Sequence, residues 1–215
     1  MSASSNSFQK LPQSPDVLGE LLHSLSQPLT SLRCSLELSI GEVAEPQQDC
    51  VAVALEQTEK VIGMIQLMRE YLDSQQPVPE SFSCALAPVI RSVIDELSSI
   101  ALVRGVQLRL VGTCSATIPV PESRLRLALQ YLVAAVIEAQ SVGGRVILLL
   151  GEGPAGAVLR GEGEPSFREP FGPTTSLLRV KLAIASRVVE NAGASLVFGD
   201  LGPGGFVLRV PRPVA

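Results

Sequence analysis

Tryptophan is absent from the 215 residues, and aromatic residues make up only 4% of them, so any core must be aliphatic. Histidine occurs once, at His23. One imidazole excludes a multi-histidine metal site and any catalytic step that needs two imidazoles. The four cysteines, Cys34, Cys50, Cys84 and Cys114, form no C-x-x-C pair, which argues against structural zinc. No apolar run approaches the roughly 20 residues needed to cross a bilayer, so no membrane span is expected. Met1 to Lys10 is polar and Ser-rich, unlike a signal peptide, and reads as a loose tail. A soluble cytoplasmic protein with free thiols is therefore expected. The net charge of −4 speaks against a dedicated nucleic-acid binder. Against these absences stand 46% hydrophobic and 18% charged residues, enough apolar material for a sizeable core and too much for a disordered chain.

Ser14-Pro15-Asp16 reads as a helix start: Ser14 can cap, Pro15 suits the first helical position, and Asp16 complements the dipole. Leu18, Leu22, Leu25, Leu29, Leu32 and Leu36 follow in alternating steps of four and three, a heptad seam. The pattern fades after Ile40-Gly41, and Pro46 closes it. Val51, Leu55, Thr58, Ile62, Ile65 and Leu72 repeat the spacing, which predicts a second helix. Two helices of about 25 residues, each roughly 40 Å long, make an antiparallel hairpin. A single hairpin leaves its stripes half covered; two hairpins joined as a four-helix bundle would cover them, so burial implies a homodimer.

Ser74-Gln75-Gln76-Pro77-Val78-Pro79 has linker composition. Charge also shifts there: residues 1–79 hold four basic and ten acidic groups, and residues 80–215 hold thirteen and eleven. The expected organisation is a tail over 1–14, a helical hairpin over 15–76 and a second domain over 80–215. In that domain, helices are expected over Pro88–Val103, Pro121–Gln140 and Ser176–Asn191. Strands are expected at Val106–Val111, Val146–Leu150, Ala157–Leu159, Ser195–Phe198 and Phe206–Val210, the last two joined around Gly202-Pro203-Gly204-Gly205. Residues 160–176, rich in Gly and Pro, read as irregular. The fold class is α+β: a helical hairpin followed by a two-layer α/β sandwich with a mixed sheet.

The segment His23-Ser24-Leu25-Ser26-Gln27-Pro28-Leu29 resembles the phosphoacceptor box of two-component sensor histidine kinases, with a histidine early on a long helix and a proline five residues later. The resemblance extends over nearly all of the chain after residue 14. Arg124–Gln140 resembles the helix of that family's asparagine box, Phe167–Thr175 its phenylalanine box, and Leu182–Gly193 the helix after its last glycine box. The ending FVLRVP is similar to the family's closing strand. The resemblance implies a dimerization and histidine phosphotransfer hairpin, with His23 as phosphoacceptor, Gln27 at the place of a phosphatase-linked polar residue, and a response-regulator receiver domain as partner. It also implies an ATP-binding domain.

The chain departs from the family where nucleotide would bind. Tyr131 and Ala135 stand where the family has asparagines serving nucleotide and magnesium. Leu159 stands where an aspartate contacts the adenine amine, and Leu177-Leu178-Arg179-Val180-Lys181-Leu182 replaces a glycine-rich phosphate turn. Magnesium needs oxygen ligands, which Ala135 lacks. Glycines let backbone amides reach phosphates, and the side chains here stand in that space. A buried, unpaired adenine edge costs about 1–3 kcal/mol. ATP and magnesium binding are expected to be lost, although Arg179 and Lys181 can attract an anion as point charges.

By spacing alone, His23 lies just off the seam and reads as an edge histidine without a role. The match of Gln27-Pro28-Leu29 gives it the phosphoacceptor reading. Ser24 stands where the family carries an acidic residue beside the histidine, and it is a poor base. Pro28 removes one helical hydrogen bond and predicts a bend. Gln27 reads equally as a solvated amide. Gly151-Glu152-Gly153 and Gly161-Glu162-Gly163 read as turns rather than phosphate loops. Two functions stay open: a dimeric histidine phosphotransferase passing phosphoryl groups between receiver domains, and a non-catalytic module that docks a response regulator or kinase. A kinase that turns over ATP ranks last.

Overall fold

The structure, a computed structural model, describes residues 15–40, 47–77, 82–163, 176–198 and 205–212. The Ser14 cap, the closing Pro46, the linker residues 78–79, the Phe167–Thr175 box and the turn residues 202–204 lie outside them. The chain divides into two compact units, residues 1–68 and 69–215.

The first unit holds α1 (Pro15–Ile40) and most of α2 (Gln47–Ser74), of 26 and 28 residues. Pro15 opens α1, a position where its missing N–H leaves no helical bond unmade. The heptad seam is not covered within one chain. Leu22 is 53% exposed, Ile62 59% and Val51 65%. Leu18, Leu29, Leu36, Leu55 and Ile65 are exposed too, whereas Leu25 and Leu32 are half-buried. A different row of α1 is buried: Val17, Leu21, Ser24 and Pro28, again at heptad spacing.

The second unit is an α/β sandwich. Its five-stranded sheet runs in the order β2 (Gln107–Gly112), β4 (Arg145–Gly153), β5 (Gly156–Gly163), β7 (Phe206–Pro211), β6 (Ser195–Phe198). β2 pairs parallel to β4; every other pairing in this sheet is antiparallel. A two-stranded ladder of β1 (Cys84–Ala85) and β3 (Thr117–Ile118) stands apart. The helices α3 (Leu86–Val103), α4 (Glu122–Glu138) and α5 (Ser176–Asn191) pack in the second layer, with α4 between α3 and α5. Leu125, Leu129, Leu132, Leu148, Leu159, Ile184 and Phe206 are fully buried and form an aliphatic core with one aromatic ring.

α3 ends as its sequence predicts. Gly105 takes φ +67°, its N–H bonds the Leu102 carbonyl at 2.9 Å, and the Val106 N–H bonds the Ala101 carbonyl at 2.8 Å. This paired closure satisfies the last carbonyls and needs a residue without a Cβ. α5 ends in the same way at Gly193.

The two Gly-Glu-Gly segments are not turns. Gly151–Gly153 ends β4 and Gly161–Gly163 ends β5, so residues 160–163, read from sequence as irregular, are strand. A Cβ at Gly161 would lie 2.3 Å from the Phe206 ring, and one at Gly163 would lie 2.1 Å from the Gln140 amide nitrogen. These glycines make room for packed side chains. The turn between the strands is Pro154-Ala155.

Candidate functional site

His23 lies in the third turn of α1 with its side chain exposed. Gln27, four residues on, shares that face, as the i, i+4 relation requires. The Gln27 amide nitrogen is 3.5 Å from His23 Nε2 and donates to it when that ring nitrogen carries no proton. Ser24 and Pro28 lie on the buried side of the helix. The geometry therefore brings His23 and Gln27 together and turns Ser24 away from their exposed face.

The helix around His23 is loaded with groups that compete for its own carbonyls. Ser26 Oγ donates to the Leu22 carbonyl and Thr30 Oγ1 to that of Ser26, each at 2.8 Å. Such back-bonds favour bending, and Pro28 sits among them without an N–H to continue the ladder.

The positions that resemble a nucleotide site hold packed side chains. Tyr131 on α4 is half-buried and donates its hydroxyl to the Glu70 carboxylate. Burial first, then the hydrogen bond and charge of Glu70, push the Tyr131 phenol well above the ordinary tyrosine value. Lys181 Nζ stands 5.6 Å from the centroid of the same ring, within cation–π range. Ala135 is buried, and Leu159 is buried in the core face of β5. Residues 177–182 form the first turns of α5, not a loop. The N–H groups of Val180, Lys181 and Leu182 thus lie where a helix bonds them to its own carbonyls, so they are not free to cradle phosphate. Among the described residues, no three His, Cys, Asp and Glu side chains gather as metal ligands would.

Sequence reasoning missed how the end of α2 is held. Besides the Tyr131–Glu70 bond, Asn191 Nδ2 donates to the Ser74 carbonyl at 2.9 Å, and Arg124 Nη1 donates to the Gln76 carbonyl at 3.1 Å. All of these partners belong to the second unit. The bonds join residues far apart in the chain, and no local pattern announces them.

The phenol gives a signed prediction. Its folded-state value lies above the unfolded value of about 10, so its contribution to stability is complete below about pH 10 and is lost as pH rises beyond it. Tyr131→Phe removes a hydrogen bond to a charged, partly solvated group and is expected to cost about 1 kcal/mol at neutral pH. It should also flatten the decline of stability above pH 10. Urea unfolding of both proteins at pH 7 and above pH 10 checks this; equal alkaline slopes refute it.

No protein-family model matches the sequence, and neither does any curated protein. Solved structures do match. The Acinetobacter baumannii histidine kinase AdeS superposes with a TM-score of 0.68 at 16% identity, over 89% of this chain and 98% of that one. Histidine kinase ThkA, in complex with the response regulator protein TrrA, gives 0.67 at 14% identity, over 93% of this chain and 62% of that one. The cytoplasmic segment of histidine kinase QseC gives 0.51 at 17% identity, over 70% and 92%. The chain has the fold of a histidine kinase core, a helical hairpin region followed by an ATPase-type α/β sandwich.

Proposed function

We propose that this protein is a dimeric histidine phosphotransferase of two-component signalling, with His23 taking phosphoryl groups from, and returning them to, receiver domains of response regulators. The observation that carries the reading is a contrast. The one histidine is exposed on the first long helix of a histidine kinase fold, while the nucleotide positions of that fold are filled by Tyr131, Ala135, Leu159 and a continuous helix. A protein so built can offer a phosphoacceptor without making its own phosphohistidine from ATP.

The transfer balances without a base on this chain. The unprotonated ring nitrogen of neutral His23 forms the N–P bond as the acyl O–P bond of a phospho-aspartate breaks. Aspartate leaves as a carboxylate, and the proton on the other ring nitrogen passes to solvent. A loose phosphoryl transition state asks for placement more than for basicity. That suits a histidine whose neighbour Ser24 is buried and no carboxylate. Gln27 is placed to orient the ring or to position a water for hydrolysis.

The exposed rows of α1 and α2 would be covered by the same rows of a second copy, giving the four-helix bundle to which a receiver docks. One observation favours the runner-up, a docking module without chemistry: no acidic residue stands beside His23 in sequence.

Incubation with phosphorylated receiver domains, followed by detection of acid-labile phosphate, tests the reading. Phosphohistidine on this chain is expected. Receiver binding without phosphohistidine would leave the docking module. Calorimetry with magnesium-ATP is expected to show no binding at micromolar concentrations; a micromolar dissociation constant would restore the kinase reading.

A further inference from the structure

We infer that the face of the five-stranded sheet turned away from the helices docks an acidic, aliphatic-rich segment of a partner protein. Side chains alternate between the two faces of a sheet. Val146, Leu148 and Leu150 of β4 and Ala157 and Leu159 of β5 are buried on the helix side. Ile147, Leu149, Val158, Arg160 and Glu162 therefore point the other way. The pairing registers fix which of them are neighbours. One cross-strand row holds Arg109, Ile147 and Glu162. The next holds Val111, Leu149, Arg160, Val207 and Val197. The third holds Val158, Arg209 and Ser195.

The charge on this face is basic. The charged residues of the five strands are Arg109, Arg145, Arg160, Arg209, Glu152 and Glu162. By alternation all four arginines share the face with one acid, Glu162. Glu152 falls on the helix side, where it accepts the Ser115 N–H and hydroxyl, each at 2.9 Å. The nearby Glu138 belongs to α4, in the helix layer. The arginines are exposed, and none makes an ion pair with a described residue. They form two diagonal pairs. Arg109 faces Ile147, two residues on from Arg145, and Arg209 faces Val158, two residues before Arg160.

This pattern selects the occupant. Arg109 on β2 and Arg209 on β7 stand three strand spacings apart, roughly 14 Å, too far for one small anion to bridge. The ground between the pairs is aliphatic, with no aromatic ring for a base to stack on, which disfavours a nucleic acid. Ile147, Leu149 and Val158 are half-buried and Val207 is buried, so they do not project as a bilayer contact requires. A polypeptide carrying carboxylates for the arginine forks and aliphatic side chains for the ground between them meets both demands. A cavity of about 210 Å³ lies at the β6 side of the face, lined by Val158, Ser195, Arg209 and Pro211, with room for a side chain. The surface is independent of His23.

Fluorescence polarisation of a labelled glutamate–leucine peptide, titrated with the full chain at low salt, tests this. Binding is expected, and it should weaken toward about 0.15 M salt. A lysine–leucine peptide of the same length and an oligothymidylate should not bind. Arg160→Gln and Arg209→Gln should each weaken binding about threefold. Arg160→Glu combined with Arg209→Glu should abolish it with an unchanged far-ultraviolet spectrum, because both side chains are exposed. Val111→Gln, at the exposed edge of the aliphatic row, should weaken it without changing its salt dependence. No binding of the glutamate–leucine peptide, equal binding of either control, or a double variant that binds like the wild type would each overturn the proposal. A fall in molar mass of the double variant would also overturn it, assigning the face to a contact between copies.

Discussion

Replacing Leu25 and Ile62 by aspartate is expected to convert the protein from dimer to monomer. Within one chain Leu25 is half-buried and Ile62 is 59% exposed, so neither substitution opens a cavity in the folded protomer. Leu25 belongs to the row that runs from Leu18 to Leu36, and Ile62 to the row from Val51 to Leu72. In a bundle built from two such hairpins, these rows become the seam. Two copies then bring four carboxylates into it, and an unpaired charge out of water costs several kcal/mol. That exceeds what a few aliphatic contacts return at about 25 cal/mol per Å². Light scattering of the wild type and the double variant decides the matter. A wild type that is a monodisperse monomer would leave the exposed rows without their expected cover.

His23→Ala is expected to remove all phosphoryl acceptance and to leave dimer mass and melting temperature almost unchanged. The side chain is exposed and its recorded side-chain partner, Gln27, is exposed too, so truncation leaves nothing buried and unpaired. No second imidazole exists to take over. Gln27→Ala is a useful companion, because it keeps the nucleophile and removes the group 3.5 Å from the ring. If the docking-module reading is right, His23→Ala will bind and signal like the wild type. A phosphorylated His23→Ala chain would place the acceptor elsewhere.

Much of the fold could be read from the sequence because the relevant signals are local. Pro15 and the four-three leucine spacing mark α1, Gly105 marks the end of α3, and the hydrophobic alternation after Val106 marks β2. What escaped depends on distant partners. β1 and β3 are two residues each, too short to carry a period, and exist because they pair with each other. β5 runs on through Gly161-Glu162-Gly163 against propensity, because β4 holds that segment in register and Phe206 and Gln140 occupy the space a side chain would need. At the site, the i, i+4 relation of His23 and Gln27 could be read directly. That Tyr131 would reach back to Glu70, or that Lys181 would stand over its ring, could not, since Glu70 comes from the end of α2 and Lys181 from α5, and each meets α4 only in the folded chain. The heptad stripe carried an ambiguity of its own: four of the six leucines forming the obvious seam are left exposed, while the row through Leu21 is the one the single chain buries.

The two tyrosines have an optical consequence. Tryptophan is absent, so the near-ultraviolet signal and intrinsic fluorescence rest on Tyr71 and Tyr131, helped only by weak phenylalanine absorption. Both phenols belong to residues 69–215, Tyr71 buried and Tyr131 half-buried against Glu70. Tyrosine emission therefore reports on the second compact unit, which includes the end of α2, whereas far-ultraviolet ellipticity draws about equally on the 54 residues of α1 and α2 and the 51 of α3, α4 and α5. The first spectroscopy sees one unit and the second sees both. Overlaying their denaturation curves, without labels or added tryptophans, shows whether hairpin and sandwich melt as one cooperative body or as two.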